Sequence, residues 1–248
     1  MYHILKSQIK SILPQHRLIK YEPALRGLFG QFYRGSNCKC EICNHKLRTF
    51  IELDNKDLLC PFCGSLSRNR RLWNYLKINQ LLHGKVLHFS PSRCLYRQFK
   101  LDNEIEYLST DFEGEFLADY QFNITNIDCA NNTFNLIICY HVLEHIDHDL
   151  LALKELYRVL HPTGTLLIQT PFKEGDIYED YSITDPTDRK KHFGQEDHVR
   201  IYSKDGLRSR LQTTGFHVEI VEFPSQITDS HFGLKSPETI FKCTINHK

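Results

Sequence analysis

The sequence predicts an α/β protein in which a mainly parallel sheet follows a small cysteine-rich module. From residue 85 onward, apolar segments of strand length alternate with helical ones, which is the pattern of βαβ units. Before them, two Cys-x-x-Cys pairs lie at 40–43 and 60–63. The length of 248 residues suits one medium domain plus a small module, and 41% hydrophobic with 25% charged residues excludes disordered and collagen-like chains.

The first 37 residues are predicted to form a basic amphipathic arm and a connector. Residues 1–37 contain six basic residues and one acid, although the whole chain carries a net charge of only +1. Apolar residues recur at helical spacing over 1–20 until Pro14 interrupts them, and glycines among aromatics predict an irregular connector over 21–37. We expect the helix to pack on the rest of the chain; peripheral contact with an anionic membrane or with RNA is the alternative.

The sequence predicts a cytoplasmic protein. No apolar run approaches the roughly 18 residues of a transmembrane helix, since the longest, 136–140, has the length of a buried strand. Lys6 and Lys10 interrupt the first apolar residues, so we expect no signal peptide. Nothing in the sequence indicates an oligomeric state.

Residues 38–66 are predicted to form a zinc ribbon. The two Cys-x-x-Cys pairs are separated by sixteen residues, a spacing typical of zinc sites. Each pair places two sulfurs in one tight turn, and four thiolates close the shell of a tetrahedral zinc, so the ion is structural. An odd total of nine cysteines also favours a metal over disulfides. The predicted ligands are Cys40, Cys43, Cys60 and Cys63.

A helix over 68–82, stopped at Gly84, is predicted to join the ribbon to the second domain. The linking helix therefore spans 67–84 and the second domain 85–248. The last two strands have no helix between them, which favours antiparallel pairing. The predicted strands are 86–89, 106–109, 136–140, 165–169, 217–223 and 239–245, and the predicted helices are 92–101, 147–160 and 204–214.

Two segments of the second domain carry a resemblance to a known family. Residues 134–146 read FNLIICYHVLEHI, and residues 156–168 read LYRVLHPTGTLLI. They resemble the fourth and fifth motifs of class I S-adenosylmethionine (SAM)-dependent methyltransferases of the type 11 group, and FGQEDHVRIY at 193–202 resembles a bacterial subgroup with a zinc-ribbon front end. The resemblance covers roughly residues 85–245. It implies a Rossmann-like seven-stranded sheet whose last strand is antiparallel, with SAM across the strand carboxyl ends.

The resemblance also implies where the cofactor lies. The family's first loop reads DxGxG, whereas residues 88–92 read HFSPS, and Ser90 is expected to cap the next helix with Pro91 at its first position. Asp111 occupies the position that binds the ribose hydroxyls, and Asn123 with Ile124 occupies the position that reads adenine. The implied cofactor-binding residues are Phe89, Ser90, Pro91, Asp111, Phe112, Asn123, Ile124, Tyr140 and His141.

The long segment 172–202 is predicted to cover the acceptor. Within it, His198 is the candidate base and Asp197 or Glu196 the carboxylate that orients it, while a solvated turn is the alternative. Glu144 and His145 either cap the following helix or take part in the chemistry. The predicted catalytic residues are His198 and His141, and the predicted acceptor-binding residues are Asp197, His198, Arg200 and Tyr202.

These expectations combine into methyl transfer from SAM to oxygen or nitrogen of a small-molecule or glycan-like acceptor. One alternative is an RNA methyltransferase that holds nucleic acid with the ribbon and the basic arm. It is less favoured because loop 44–59 balances three basic residues with three acidic ones and offers only Phe50 for stacking. The other alternative is a non-catalytic scaffold, because the first loop departs from the family pattern.

Overall fold

The computed structural model describes residues 15–245, which form two compact units. The first, here called the ribbon unit, contains the described residues up to 74 together with 227–236. The second, the sheet unit, contains residues 75–226 and 237–245. Among the described helices, none is both long and apolar enough to cross a membrane. Most of the predicted amphipathic helix, up to residue 14, lies outside the described residues.

The ribbon unit consists of a helix and two short antiparallel strand pairs. Strand β1 pairs with β2, and β3 pairs with β4, as expected for a zinc ribbon. The boundary between the two units falls within helix α2, after Asn74. The bounds are α1 Gln15–Gly30, β1 Arg34–Lys39, β2 Lys46–Leu47, β3 Ile51–Glu52, β4 Leu58–Leu59 and α2 Ser67–Ile78.

The predicted irregular connector over 21–37 is wrong, because α1 continues through most of it. The helix accommodates Pro23 in its interior and ends at Gly30. A Cβ atom added at Gly30 would lie 2.5 Å from the ring of Phe62, so the missing side chain permits close packing against the ribbon. Tertiary contacts therefore stabilise a helix in a segment whose glycines and proline predict none.

Segment 227–236 belongs to the ribbon unit although it lies between the last two strands of the sheet in sequence. Arg70 of α2, fully buried, binds it. Its Nε donates to the carbonyl of Phe232 at 3.0 Å and its Nη2 to that of Gly233 at 2.7 Å. The guanidinium also lies 4.3 Å from the ring centroid of Phe50. One arginine thus satisfies two neighbouring carbonyls of a segment that is distant in sequence.

The sheet unit is built on six strands in the order β12-β13-β8-β7-β5-β6. Strands β5 to β8 are mutually parallel, and β13 is antiparallel to both β8 and β12. The antiparallel pairing of the last two strands is therefore confirmed. The bounds are β5 Gly84–Phe89, β6 Ile105–Thr110, β7 Phe134–Tyr140, β8 Leu160–Gln169, β12 Phe216–Phe223 and β13 Glu238–Ile245.

The seventh strand that the resemblance implies is absent from the described sheet. Residues 111–133, which separate β6 from β7, form turns and two isolated bridges, Thr110 with Tyr120 and Asn123 with Asn126. The Oγ of Ser109 donates to Asp119 at 2.6 Å, and the amide of Phe122 donates to Thr110 Oγ1 at 2.7 Å. Side chains and a short bridge thus occupy the edge of β6, so no continuous ladder forms there.

Helices cover the sheet and bury its strands, whose central residues 136–139 in β7 are fully inaccessible. Helix α6 has the bounds that the sequence predicts. The Oγ of Ser203 accepts from the amide of Gly206 at 3.1 Å as its N-cap, and Gly215 ends it with a φ of 110°. The helices are α3 Arg93–Lys100, α4 Asp149–Val159 and α6 Lys204–Thr214.

Residues 172–203, here called the insertion, separate β8 from α6 and are folded rather than a solvated turn. Strand β11 lies between β10 and β9 in a small separate sheet. The side chain of Asp185 caps α5, with Pro186 at the start of the helix. The bounds are β9 Phe172–Lys173, β10 Tyr178–Glu179, α5 Pro186–Phe193 and β11 Arg200–Ser203.

His88, in the middle of the sheet, makes the stability of the sheet unit depend on pH. It is buried beside Tyr107, whose hydroxyl lies 3.3 Å from Nδ1, and burial lowers the pKa of the imidazole to about 3. The unfolded chain therefore binds more protons than the folded one between about pH 6.5 and 3, and His88 lowers stability as pH falls through this range. We expect His88→Gln to remove a pH dependence from urea unfolding measured at pH 7, 6 and 5. Its slope steepens below the reference pKa and approaches about 1.4 kcal/mol per pH unit toward pH 5. Equal slopes for the variant and wild type would contradict this.

Candidate functional site

The sulfurs of the four predicted metal ligands lie together in the ribbon unit. Cys40 Sγ is 3.7 Å from Cys63 Sγ, and Cys43 Sγ is 3.7 Å from Cys60 Sγ. All four lie within 4.8 Å of one another. A tetrahedral zinc with Zn–S bonds of about 2.3 Å separates its sulfurs by about 3.8 Å. The spacing therefore fits a single metal ion.

The two Cys-x-x-Cys pairs have the same turn geometry. A residue with positive φ follows each pair, Asn44 at 58° and Gly64 at 76°. The amide of Cys40 donates to the carbonyl of residue 45 at 3.0 Å, and the amide of Cys60 to that of Ser65 at 2.9 Å. The backbone of each turn thus directs both sulfurs of a pair to one side, as a metal-binding knuckle does.

The thiols influence one another strongly. Hydrogen bonds from Cys43, Cys60 and Cys63 lower the pKa of Cys40 well below its usual range. The pKa values of the other three thiols are raised, first by their hydrogen bonds with Cys40. Adjacent negative charges repel, so a divalent cation would favour ionisation of all four thiols together.

In the sheet unit, the loop after β5 has a strained backbone. Ser90 has a φ of 44°, a conformation that non-glycine residues rarely adopt. Its Oγ donates to Asp111 Oδ1 at 2.7 Å, and its amide donates to the carbonyl of Thr110 at 2.8 Å. The expected capping role of Ser90 is wrong, since α3 begins at Arg93 with Ser92 as its N-cap. Strain of this kind is typical of functional loops.

Asp111 connects the loops that follow β5 and β6. Its carboxylate is buried, and Oδ2 accepts from the amides of Glu115 and Phe116 at 2.7 and 3.1 Å. The neighbouring Phe112 is exposed. Because β5 and β6 are adjacent parallel strands, Asp111 fixes the carboxyl edge where the cofactor is expected. Its contact with ribose stays a prediction.

The remaining predicted cofactor residues differ in accessibility. Phe89, Pro91 and Ile124 are buried, whereas Asn123 is exposed. The Oδ1 of Asn123 accepts from the amide and the hydroxyl of Thr125 at 2.9 and 2.8 Å, so a local turn uses the oxygen expected to read adenine. That role also stays a prediction.

A polar group, here called the histidine cluster, lies where β7 ends; it comprises His141, Glu144, His145, Asp197 and His198. His141 follows Tyr140 with a φ of 55° and so is the second strained residue at this sheet edge. Its Nδ1 is 3.1 Å from Oε1 of the buried Glu144. The Nδ1 of His145 is 3.0 Å from Asp197 Oδ2.

His198 brings the insertion to this cluster. It is only 3% exposed, and its Nδ1 is 3.1 Å from the carbonyl of Phe193. Its ring lies 4.7 Å from that of His145, edge to face. The expectation that Asp197 orients His198 is wrong, because Asp197 pairs with His145 instead. The predicted base nevertheless lies beside the end of β7, as expected for a residue over the sheet edge.

Three buried atoms of the histidine cluster have no hydrogen-bond partner: His141 Nε2, Glu144 Oε2 and His198 Nε2. Burial and the neighbouring His145 lower the pKa of His198. Burial alone would raise the pKa of Glu144, but the hydrogen bond with His141 lowers it. Near neutral pH the cluster therefore combines a neutral imidazole at His198 with a carboxylate at Glu144.

Arg200 and Tyr202, in strand β11 of the insertion, are fully buried. Arg200 donates to Glu179 Oε2 at 2.9 Å and to the carbonyl of Asp147 at 2.9 Å. The hydroxyl of Tyr202 donates to Asp149 Oδ2 at 2.5 Å. The sequence analysis did not identify Glu179 or Asp149 as partners, because neither lies near 200–202 in sequence. Only the folded structure brings these two acids into contact with Arg200 and Tyr202.

The parallel sheet, its reversed last strand and the polar groups at its carboxyl edge define a class I SAM-dependent methyltransferase. Residues 65–221 match the family model described as a methyltransferase domain, and the chain therefore belongs to that family.

Several curated and solved proteins are similar to parts of this chain. The tRNA U34 carboxymethyltransferase of Nautilia profundicola is 28% identical over 130 residues, which are 52% of this chain and 39% of that protein. The phosphoethanolamine N-methyltransferase 2 of Haemonchus contortus, solved with SAM, has a TM-score of 0.50 and 13% identity over 72% of this chain and 53% of that one. A SAM-dependent methyltransferase of Archaeoglobus fulgidus has a TM-score of 0.48 and 14% identity over 70% of this chain and 90% of that one. This chain therefore matches only about two fifths of the length of the tRNA U34 carboxymethyltransferase. At 13% identity, the likeness to the solved N-methyltransferase shows a shared fold and nothing more.

Proposed function

We propose that this chain transfers a methyl group from SAM to oxygen or nitrogen of a polar small-molecule or glycan-like acceptor. The main support for a polar acceptor is the set of three buried polar atoms without partners in the histidine cluster. Buried polar atoms normally have partners, so these atoms indicate a polar ligand. They follow β7 at the edge where ligands of open α/β sheets bind.

The first loop supports a place for the cofactor at the same edge. Ser90 and His141 directly follow the adjacent strands β5 and β7, and both have positive φ. The Ser90 to Asp111 hydrogen bond holds the first loop, so these residues would position SAM without the glycines of the family pattern. When bound, SAM supplies an electrophilic methyl group on a sulfonium.

The histidines provide the groups that the acceptor needs. A carbonyl and a carboxylate only accept hydrogen bonds, so the Nδ1 atoms of His198 and His141 carry the protons and each Nε2 presents a lone pair. In our proposal His198 holds the acceptor, and His141, nearer the expected methyl group, accepts the proton that the acceptor loses. Arg200 and Tyr202 support the insertion and do not touch the acceptor, because their polar groups are buried in protein contacts.

We expect Asp111→Ala to weaken SAM binding at least about tenfold, because it releases the first loop and removes charged hydrogen bonds worth about 1.5–3 kcal/mol each. Isothermal calorimetry with the full chain measures the dissociation constant. Asp128→Ala, which removes an exposed acid of the same domain, is the matched control and should bind SAM as the wild type does. A loss below about threefold in Asp111→Ala would remove Asp111 from the cofactor site, and no SAM binding by wild type would favour the scaffold alternative.

The acceptor class is tested separately with SAM labelled in its methyl group. The purified protein is incubated with the small-molecule fraction and with the RNA fraction of a cell extract, and label is counted in each product. We expect label in the small-molecule fraction. Label confined to RNA would overturn this acceptor class in favour of the RNA methyltransferase alternative, which the similarity to a tRNA-modifying relative supports.

A further inference from the structure

Three residues of the histidine cluster have the arrangement of a metal-ligand set distinct from the four cysteines. Glu144, His145 and His198 each offer one ligand atom, and these atoms lie within 4.8 Å of one another. Glu144 is 1% exposed and His198 3% exposed. The Glu144 Oε2 and His198 Nε2 atoms lack partners. A buried carboxylate oxygen and a buried imidazole nitrogen without hydrogen-bond partners are unfavourable unless something satisfies both.

The hydrogen bonds around the cluster place the free lone pairs on Nε2. The Nδ1 atoms of His145 and His198 lie 3.0 Å from Asp197 Oδ2 and 3.1 Å from the carbonyl of Phe193, respectively. Both partners are pure acceptors, so they hold the Nδ1–H tautomer. Metal-binding histidines in proteins commonly donate their other nitrogen to a carboxylate or a backbone carbonyl in this way. The second hydrogen-bonding layer of a metal site is therefore present.

The elements that carry these residues are joined directly. The amide of Val199, next to His198, donates to the carbonyl of Glu144 at 2.9 Å. Arg200 donates to the carbonyls that flank the turn containing Glu144, including that of Leu143 at 3.3 Å. The side chain of His145 is 29% exposed, which connects the cluster to solvent. The ligand atoms are thus held in place without a bound ion and remain accessible to one.

We propose that Glu144, His145 and His198 bind one divalent transition-metal cation, whose open positions take an oxygen or nitrogen of the acceptor. Two imidazoles and a carboxylate form an open ligand set, unlike the closed four-thiolate set of the ribbon unit. The cation's role toward the acceptor rests on the proposed function; its binding does not. His198 then acts on the acceptor through the cation, and His141, outside the ligand set, keeps its own Nε2 for the proton.

Mn²⁺ is the probe of choice because it prefers nitrogen and oxygen ligands, so the four cysteines compete poorly for it. The full chain is titrated with Mn²⁺, and free Mn²⁺ is followed by electron paramagnetic resonance. We expect one Mn²⁺ per chain, and an affinity reduced roughly tenfold or more in Glu144→Gln and in His198→Ala. His217→Ala, which removes an exposed histidine of β12, should bind Mn²⁺ as the wild type does.

The Mn²⁺ titration tests the metal site without any measurement of methyl transfer. Glu144→Gln keeps the shape of the side chain and an acceptor for His141, so it reports on the site even if His198→Ala does not fold. Wild type that binds no Mn²⁺, or equal affinity in wild type and Glu144→Gln, would overturn the proposal. SAM calorimetry on the same samples separates the two ideas, since retained SAM binding without Mn²⁺ binding would leave the methyltransferase proposal standing.

Discussion

Cys60→Ser should release the ribbon metal and unfold the ribbon unit while the six-stranded sheet stays folded. The four sulfurs lie within 4.8 Å, so one lost thiolate leaves an incomplete shell. Structural zinc contributes about 10–16 kcal/mol to the folding of small zinc domains, which equals or exceeds the whole stability of a typical domain. The ribbon unit has only short strand pairs around this site, so little else stabilises them.

Elemental analysis and hydrogen exchange measure these two effects. Wild type, purified without added metal, should contain one zinc at the cysteines, and Cys60→Ser should contain none there and exchange rapidly over residues 34–66. Cys38→Ser is the matched control, because Cys38 lies in the same unit outside the set of four. Equal zinc content in Cys60→Ser and wild type, or loss of zinc from Cys38→Ser, would assign the ligands differently.

Arg200→Met should destabilise the sheet unit by about 3–5 kcal/mol, the usual cost of removing one partner from a buried charged network. Arg200 is fully buried, and its loss removes one of the two arginines that pair with Glu179 and leaves several carbonyls without their donor. The carbonyls belong to the turn that carries Glu144, so the histidine cluster should loosen. We therefore also expect weaker Mn²⁺ binding and lower turnover.

Urea unfolding compares Arg200→Met with Arg208→Met, a change on the adjacent helix at a partly exposed position. The control should unfold close to wild type. If Arg200 met the acceptor instead, Arg200→Met would raise KM and leave the unfolding free energy unchanged. That result would contradict the supporting role assigned here.

Most of the secondary structure and the four-cysteine metal set follow from local sequence. Helix α6 has its predicted bounds because a serine cap and a terminal glycine lie within the segment itself. The spacing of the cysteines likewise determines which sulfurs can share an ion. The motifs at 134–146 and 156–168 identify the family, which the match over 65–221 confirms.

Tertiary structure alone decided which side chains meet. Asp111 bonds with Ser90, 21 residues away, and Arg70 bonds with Gly233, 163 residues away, neither of which a local pattern predicts. The sheet has six strands because side chains of 109–122 occupy the edge of β6. His198 meets Glu144 and His145 rather than Asp197 alone, because β11 and the turn after β7 pack together. Periodicity and spacing are properties of a few neighbouring residues, whereas these contacts depend on how distant segments pack, and that packing determines the candidate site.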